Sequence, residues 1–112
     1  MKTLNLTLSK LPFDVMVTGE KVFEYRKDTA SGWMRSRLYN TDSTKKKYDS
    51  VRFSHGYGAH RPYFVAEFKG FIRQSNTSIT FDYSNGLEVV VEHGDFCIHI
   101  GKITESGNLP QP

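Results

Sequence analysis

The chain has one cysteine, Cys97, in 112 residues. A lone thiol excludes an internal disulfide and any zinc site built on cysteines. No apolar run approaches the roughly 20 residues that a membrane-spanning helix needs. Met1-Lys2-Thr3 leads into a strand-like alternation, not into the charged start and apolar stretch of a secretory leader. The expected location is therefore the cytoplasm of a bacterium or a phage-infected cell, with no membrane partner. There is no Gly-rich phosphate loop of the nucleotide-binding type, no internal repeat, and no linker long enough to divide the chain. His55 and His60 stand five apart, with no cysteine or carboxylate pair nearby to complete a metal site. Neither a metal nor another cofactor is expected.

What is present suits a single small domain. Hydrophobic residues make up 38% and aromatics 13%, enough to fold rather than stay disordered. The formal net charge of +3 is unevenly spread. Residues 1–61 hold twelve Lys/Arg against six Asp/Glu, and residues 62–112 hold three against six. A basic half of this kind suits a polyanionic partner better than an evenly salted surface does.

Alternation of Leu4 and Leu6 with polar neighbours predicts a strand over 3–7. Ser9 can cap a following helix, Pro12 fits its first turn, and Phe13, Met16 and Val17 give it an apolar face. Gly19 ends it, because glycine enters the left-handed exit conformation without strain. A strand over 21–27 follows, then a short helical segment over 31–38 that puts Trp33 and Arg37 one turn apart. Asn40 to Lys47 reads as an exposed, mobile loop ending in Lys45-Lys46-Lys47. A strand begins near Tyr48, with Val51 and Phe53 facing in and Arg52 out. Further strands are predicted over 63–73, 77–83, 87–92 and 96–103. Ser84-Asn85-Gly86 joins the strands over 77–83 and 87–92 as a hairpin. The tail from Thr104 to Pro112 reads as frayed. The sum is an α+β domain over 3–103, a small, mostly antiparallel β-barrel with one or two short helices covering one opening.

Two segments carry the candidate chemistry. On the strand 21–27, Glu24 and Arg26 share a face with Val22, Phe23 and Tyr25 share the other, and Lys21 stands at the entry. A Lys, a Glu and an Arg so placed can form a structural ion-pair network. They can also hold a phosphate or a base edge, or let Lys21 and Glu24 work as base and acid. The second segment gathers Arg52, His55, Tyr57, His60 and Arg61 around two glycines, where backbone N–H groups, rings and guanidinium planes can meet a nucleic acid. His99, between Ile98 and Ile100, reads as structural, Cys97 as a buried small hydrophobe, and His93 as a turn residue.

The run Gly19-Glu20-Lys21-Val22-Phe23-Glu24-Tyr25-Arg26 resembles the GxKxxExR motif of the ASCH domain, a branch of the PUA-like barrel superfamily. Val51 to Tyr57 and Asp95 to Gly101 resemble the small single-domain members found in phages and mobile elements. The resemblance implies a PUA-like barrel with a cleft near the helix and the motif strand, and a role in binding RNA or modified nucleobases. Some members are enzymes. One group deacetylates acetylated cytidine with a Lys, a Thr and a Glu; here Glu24 stands where that Thr is expected. Another is a ribonuclease relying on Tyr, Lys and Ser, for which Tyr57, Lys21 and Ser54 are on offer.

Two principal expectations follow. As a binder of single-stranded RNA or a nucleoside, the chain would use Lys21, Arg26, Arg52 and Arg61 on phosphates. Arg37 adds charge, Tyr25, Trp33 or Tyr57 would stack, Glu24 would read a donor edge, and His55 would line the cleft. As a ribonuclease or amidohydrolase, it would use Lys21 as base or electrostatic stabiliser, Glu24 as its acid/base partner, and Tyr57 or His55 in support. A host protein is a third candidate partner.

Overall fold

In the computed structural model, which describes residues 2–75 and 78–109, nine elements follow in chain order. They are β1 (Thr3–Leu8), α1 (Lys10–Val17), β2 (Phe23–Arg26), α2 (Trp33–Leu38), β3 (Ser50–His55), β4 (Tyr63–Arg73), β5 (Ile79–Asp82), β6 (Glu88–Val91) and β7 (Phe96–Gly107). Five strands form one mixed sheet in the order β1-β3-β4-β7-β2, and β5 and β6 form a separate hairpin. β1 and β3 run parallel, Thr3 opposite Ser50 through Leu8 opposite His55, and the other neighbours are antiparallel. Register shifts along β4 between Val65 and Phe71 interrupt its ladder with β7, and such irregularities increase bend and twist.

Most of the core follows from the alternation. Leu4, Leu6 and Leu8 of β1, Val51 and Phe53 of β3, Phe64, Ala66 and Phe71 of β4, and Phe96, Ile98 and Ile100 of β7 fill one side of the sheet. Phe13 and Met16 from α1 and Met34 and Leu38 from α2 cover them. Burying each large apolar side chain contributes about 1.5–3 kcal/mol. Among the five sheet strands, β2 alone adds no apolar residue to this cluster. Its inward positions are Glu24 and Arg26, so its interior chemistry is ionic.

The expected barrel is a half-barrel sheet with two short helices and a hairpin. Among the described residues, β1 and β2 form the two ends of the sheet and share no backbone ladder. Three local expectations change. β7 continues to Gly107, past the break expected after Ile103, because Tyr63, Phe64 and Val65 pair with Gly107, Ser106 and Glu105. The segment 40–47 is exposed but tied by hydrogen bonds: Asn40 N–H donates to Thr44 O, Ser43 N–H to Asn40 O, and Lys46 N–H to Leu38 O. Ser9 occupies the N-cap position without a side-chain capping bond. The expected strand start at Thr77 and the end of the tail at residues 110–112 lie outside the described residues.

Candidate functional site

Gly19 sets the geometry of the motif. Its φ is +87° and its N–H donates to Met16 O at 3.0 Å. The chain reverses there, and Lys21 N–H bonds Val15 O at 2.9 Å. That hydrogen bond turns Lys21 back under α1, where the residue is 2% exposed. Its ammonium meets Phe23 O, Glu24 Oε1 at 3.2 Å and Met16 Sδ at 3.7 Å, and lies 5.2 Å from the Tyr25 ring centre.

Glu24 shares its carboxylate between two cations. Oε1 accepts from Lys21 and Oε2 accepts from Arg26 Nε at 2.6 Å. Arg26 uses its other end differently: Nη2 donates to Thr7 O at 2.6 Å. Thr7 lies on β1, so the guanidinium spans the opening between the two end strands of the sheet. Among the described residues no buried side-chain polar atom lacks a partner. Burial holds the Lys21 amine below its ordinary range, with the Glu24 charge working against that shift and Arg26 adding to it.

The outward face of β2 carries rings. His99 stacks on Phe23 at 4.6 Å and 16°, Phe23 lies 6.1 Å from Tyr25 at 18°, and Tyr25 stacks on Phe81 of β5 at 5.5 Å and 9°. These separations fall within the usual range for aromatic pairs. The hairpin is fastened over this face. Ser84 donates its N–H and hydroxyl to Glu20, and Asn85 Nδ2 donates to Leu11 O. Partial burial pushes the Tyr25 phenol up to about 12, aided by Tyr83.

Beside this ladder runs an open groove of about 750 Å³. Phe23, His99, Tyr48, Phe68 and Cys97 line it together with Lys45, Lys46, Lys47 and Lys69, and its described lining includes no carboxylate. Lys45 donates to Phe71 O at 2.7 Å and Lys46 to Ser36 O at 2.9 Å. Lys69 lies 3.8 Å from Glu67. A second open hollow of about 760 Å³ lies between α2 and the turn at Asn40 to Ser43.

The remaining sequence candidates lie elsewhere. Arg37 stacks over Trp33 at 4.0 Å on α2, and Trp33 is 46% exposed. Arg52 lies over Tyr63 at 4.2 Å on the outer side of β3. His55 faces Phe13 of α1 at 6.0 Å, and Arg61 folds back to donate from Nε to His55 O at 2.7 Å. Tyr57 is 87% exposed at the loop tip. Helix α1 therefore stands between the two sequence segments: Phe13 touches His55, and Met16 touches Lys21. Among the described residues no direct hydrogen bond or ion pair joins the segments, and no three His, Cys, Asp or Glu side chains converge as a metal site requires.

Lys45 to Lys47, His99 and Lys69, none of them a candidate site residue in the sequence, line the groove beside the ring ladder. Inward Ile98 and Ile100 already required His99 to face outward. Its partnership with Phe23 needed the register of β2 against β7, which residue patterns do not supply.

Fold and site together define a small α+β protein with a mixed five-stranded half-barrel, an ionic clasp at its open side, and a basic, aromatic groove outside the clasp strand. Comparison with known proteins finds no match to the chain among family models, curated proteins or solved structures.

Proposed function

We propose that this chain binds single-stranded RNA or an unstacked, modified nucleobase on the surface built around its GxKxxExR strand. The observation that carries the reading is the groove beside β2, whose described lining holds four lysines and several rings and no carboxylate. A nucleic-acid backbone supplies closely spaced negative charge, and each base supplies a stacking face. The exposed Arg37–Trp33 pair adds similar chemistry nearby in sequence. The resemblance to ASCH domains, and to the PUA-like barrel they belong to, supports the same ligand class. In this reading Lys21, Glu24 and Arg26 hold the binding strand in place, and the ligand meets its outward face.

Fluorescence anisotropy with a labelled single-stranded RNA tests the proposal. Log affinity should fall linearly with log salt, by about 0.7 per phosphate neutralised. No binding at low salt would remove the reading.

One observation favours a hydrolytic alternative. Lys21 and Glu24 are 3.2 Å apart and buried, and the amine is held below its ordinary range, as a general base requires. Tyr57 and His55, the expected assistants, make no hydrogen bond to either residue. If Lys21→Met, folded and monodisperse, turns over RNA or acylated nucleosides at the native rate, the alternative is wrong.

A further inference from the structure

The row His99–Phe23–Tyr25–Phe81 is closed at one end and open at the other. At the Phe81 end it is capped by the hairpin, whose turn is tied to Glu20 and Leu11. At the other end His99 is exposed and lines the lysine groove together with Phe23. Phe23 and His99 are register partners on β2 and β7, so their pairing is fixed by the sheet rather than by loop conformation. A stack held this way is already ordered before a ligand arrives, which lowers the entropic cost of adding one more ring.

The cations that line the groove differ in what they bond. The Lys69 side chain lies across Gly101, where a Cβ would come within 2.6 Å of Lys69 Cε. Glycine at this position leaves room for both Lys69 and Glu67 to lie beside His99's strand, with the Glu67 carboxylate 3.8 Å from the lysine's ammonium. Lys45 and Lys46 spend their ammonium groups on backbone carbonyls. Lys47 is exposed, lines the same groove, and has no hydrogen bond or ion pair to a described side chain. One stacking platform flanked by Lys47 and Lys69 is the arrangement that a single nucleotide needs: a face for its base and cations for its phosphates.

Resting on the RNA-binding reading above, we propose that a nucleobase of a single-stranded RNA seats against His99 as the next member of this ring stack, with its flanking phosphates on Lys47 and Lys69. The chemistry recognised is an unpaired base carrying a phosphodiester. The seat lies at the His99 end of the row, whereas the Lys21 ammonium sits 5.2 Å from the ring of Tyr25 further along it.

The test separates the base from the backbone. The probe is a labelled oligonucleotide of about six adenosines, within the span one small domain can cover. It is compared with an abasic strand of the same length and charge. The native chain should prefer the adenosine strand, and His99→Ala should weaken adenosine binding about ten-fold while leaving abasic binding unchanged. Lys47→Ala and Lys69→Ala should each weaken both strands equally and lower the salt slope by about 0.7. Urea midpoints of the variants exclude unfolding, and His99→Phe, which keeps a stacking ring, should restore the preference. If His99→Ala keeps the native preference for adenosine, the seat is wrong while RNA binding stands. If the native chain binds neither strand at low salt, seat and function fall together.

Discussion

Arg26 bonds Glu24 through Nε and the carbonyl oxygen of Thr7 through Nη2, each at 2.6 Å. Thr7 belongs to the opposite end strand of the sheet, so one side chain links β2 to β1 where no backbone ladder does. A guanidinium has donors pointing in two directions, whereas an ammonium is a compact point charge. Arg26→Lys should keep the contact to Glu24 and lose that to Thr7. Since hydrogen bonds to charged groups contribute about 1.5–3 kcal/mol, a stability loss in that range is expected from urea denaturation, with Arg26→Ala lower still.

Glu24 is the counter-charge for a lysine that is 2% exposed. A neutral amide at that position can accept from one cation while its NH₂ faces the other. Glu24→Gln should therefore cost about 3–5 kcal/mol, the range for stranding a buried charge. The pair Lys21→Met with Glu24→Gln should recover most of that loss, because it removes the stranded charge. The sign with pH is also fixed. Burial lowers the amine's affinity for protons in the folded state, so the unfolded chain binds more protons in the window below the ordinary lysine value. The loss in Glu24→Gln should shrink as pH rises through that window; urea midpoints at neutral and mildly alkaline pH provide the check.

Tyr25 acts in the opposite direction. Its phenol is pushed from 10.0 up to about 12, first by burial. Between those values the folded chain holds a proton that the unfolded chain has lost. Stability should therefore be fully present below about pH 10 and fall as pH climbs toward about 12. Tyr83 is shifted in the same direction by partial burial. Ultraviolet titration should show a late-ionising phenol that disappears in Tyr25→Phe, and alkaline unfolding of that variant should be less steep.

Gly19 offers a torsional test with no steric component. A Cβ built there meets nothing within 4 Å, yet φ is +87°. Gly19→Ala should cost about 1–2 kcal/mol from the left-handed backbone alone. The contrast is Gly107, where a Cβ would come within 2.4 Å of the Tyr63 ring. Gly107→Ala should disturb packing, with a loss of about 1–3 kcal/mol, and should displace Tyr63 from Arg52. Thermal unfolding of both variants, with the Tyr63 environment followed by NMR, distinguishes the two causes.

Much of this arrangement is legible in local residue patterns. The alternation in β1, β3 and β7, the helix stop at Gly19, the Asn85-Gly86 turn and the opposite faces of Glu24 and Tyr25 all follow from periods and backbone preferences. Pairing between distant segments does not. Nothing in residues 3–8 announces a parallel partner at 50–55, because alternation constrains a strand's faces and leaves its neighbour open. The same gap hid the groove: Phe23, Lys47, Lys69 and His99 come from four separate stretches and meet only once β2 lies on β7. Loop 40–47 is exposed, as its composition indicates, but composition does not show that Asn40, Asp42 and Thr44 close a small hydrogen-bonded turn.

The placement of β2 also bears on how the chain acquires its shape. Phe23 to Arg26 find their backbone ladder at Phe96 to His99, and β1 finds its own at Ser50 to His55. Contacts so distant in sequence require closing large loops before they repay the lost freedom, which slows folding. A nascent chain emerging from a ribosome would display the charged motif strand long before the strand that orders it. Chains stopped short of Phe96 would carry the motif without its geometry, leaving Lys21 and Glu24 exposed to water and the rings of Phe23 and Tyr25 without their platform. The backbone ladder of the clasp strand therefore needs residues from both ends of the chain, Phe23 to Arg26 and Phe96 to His99.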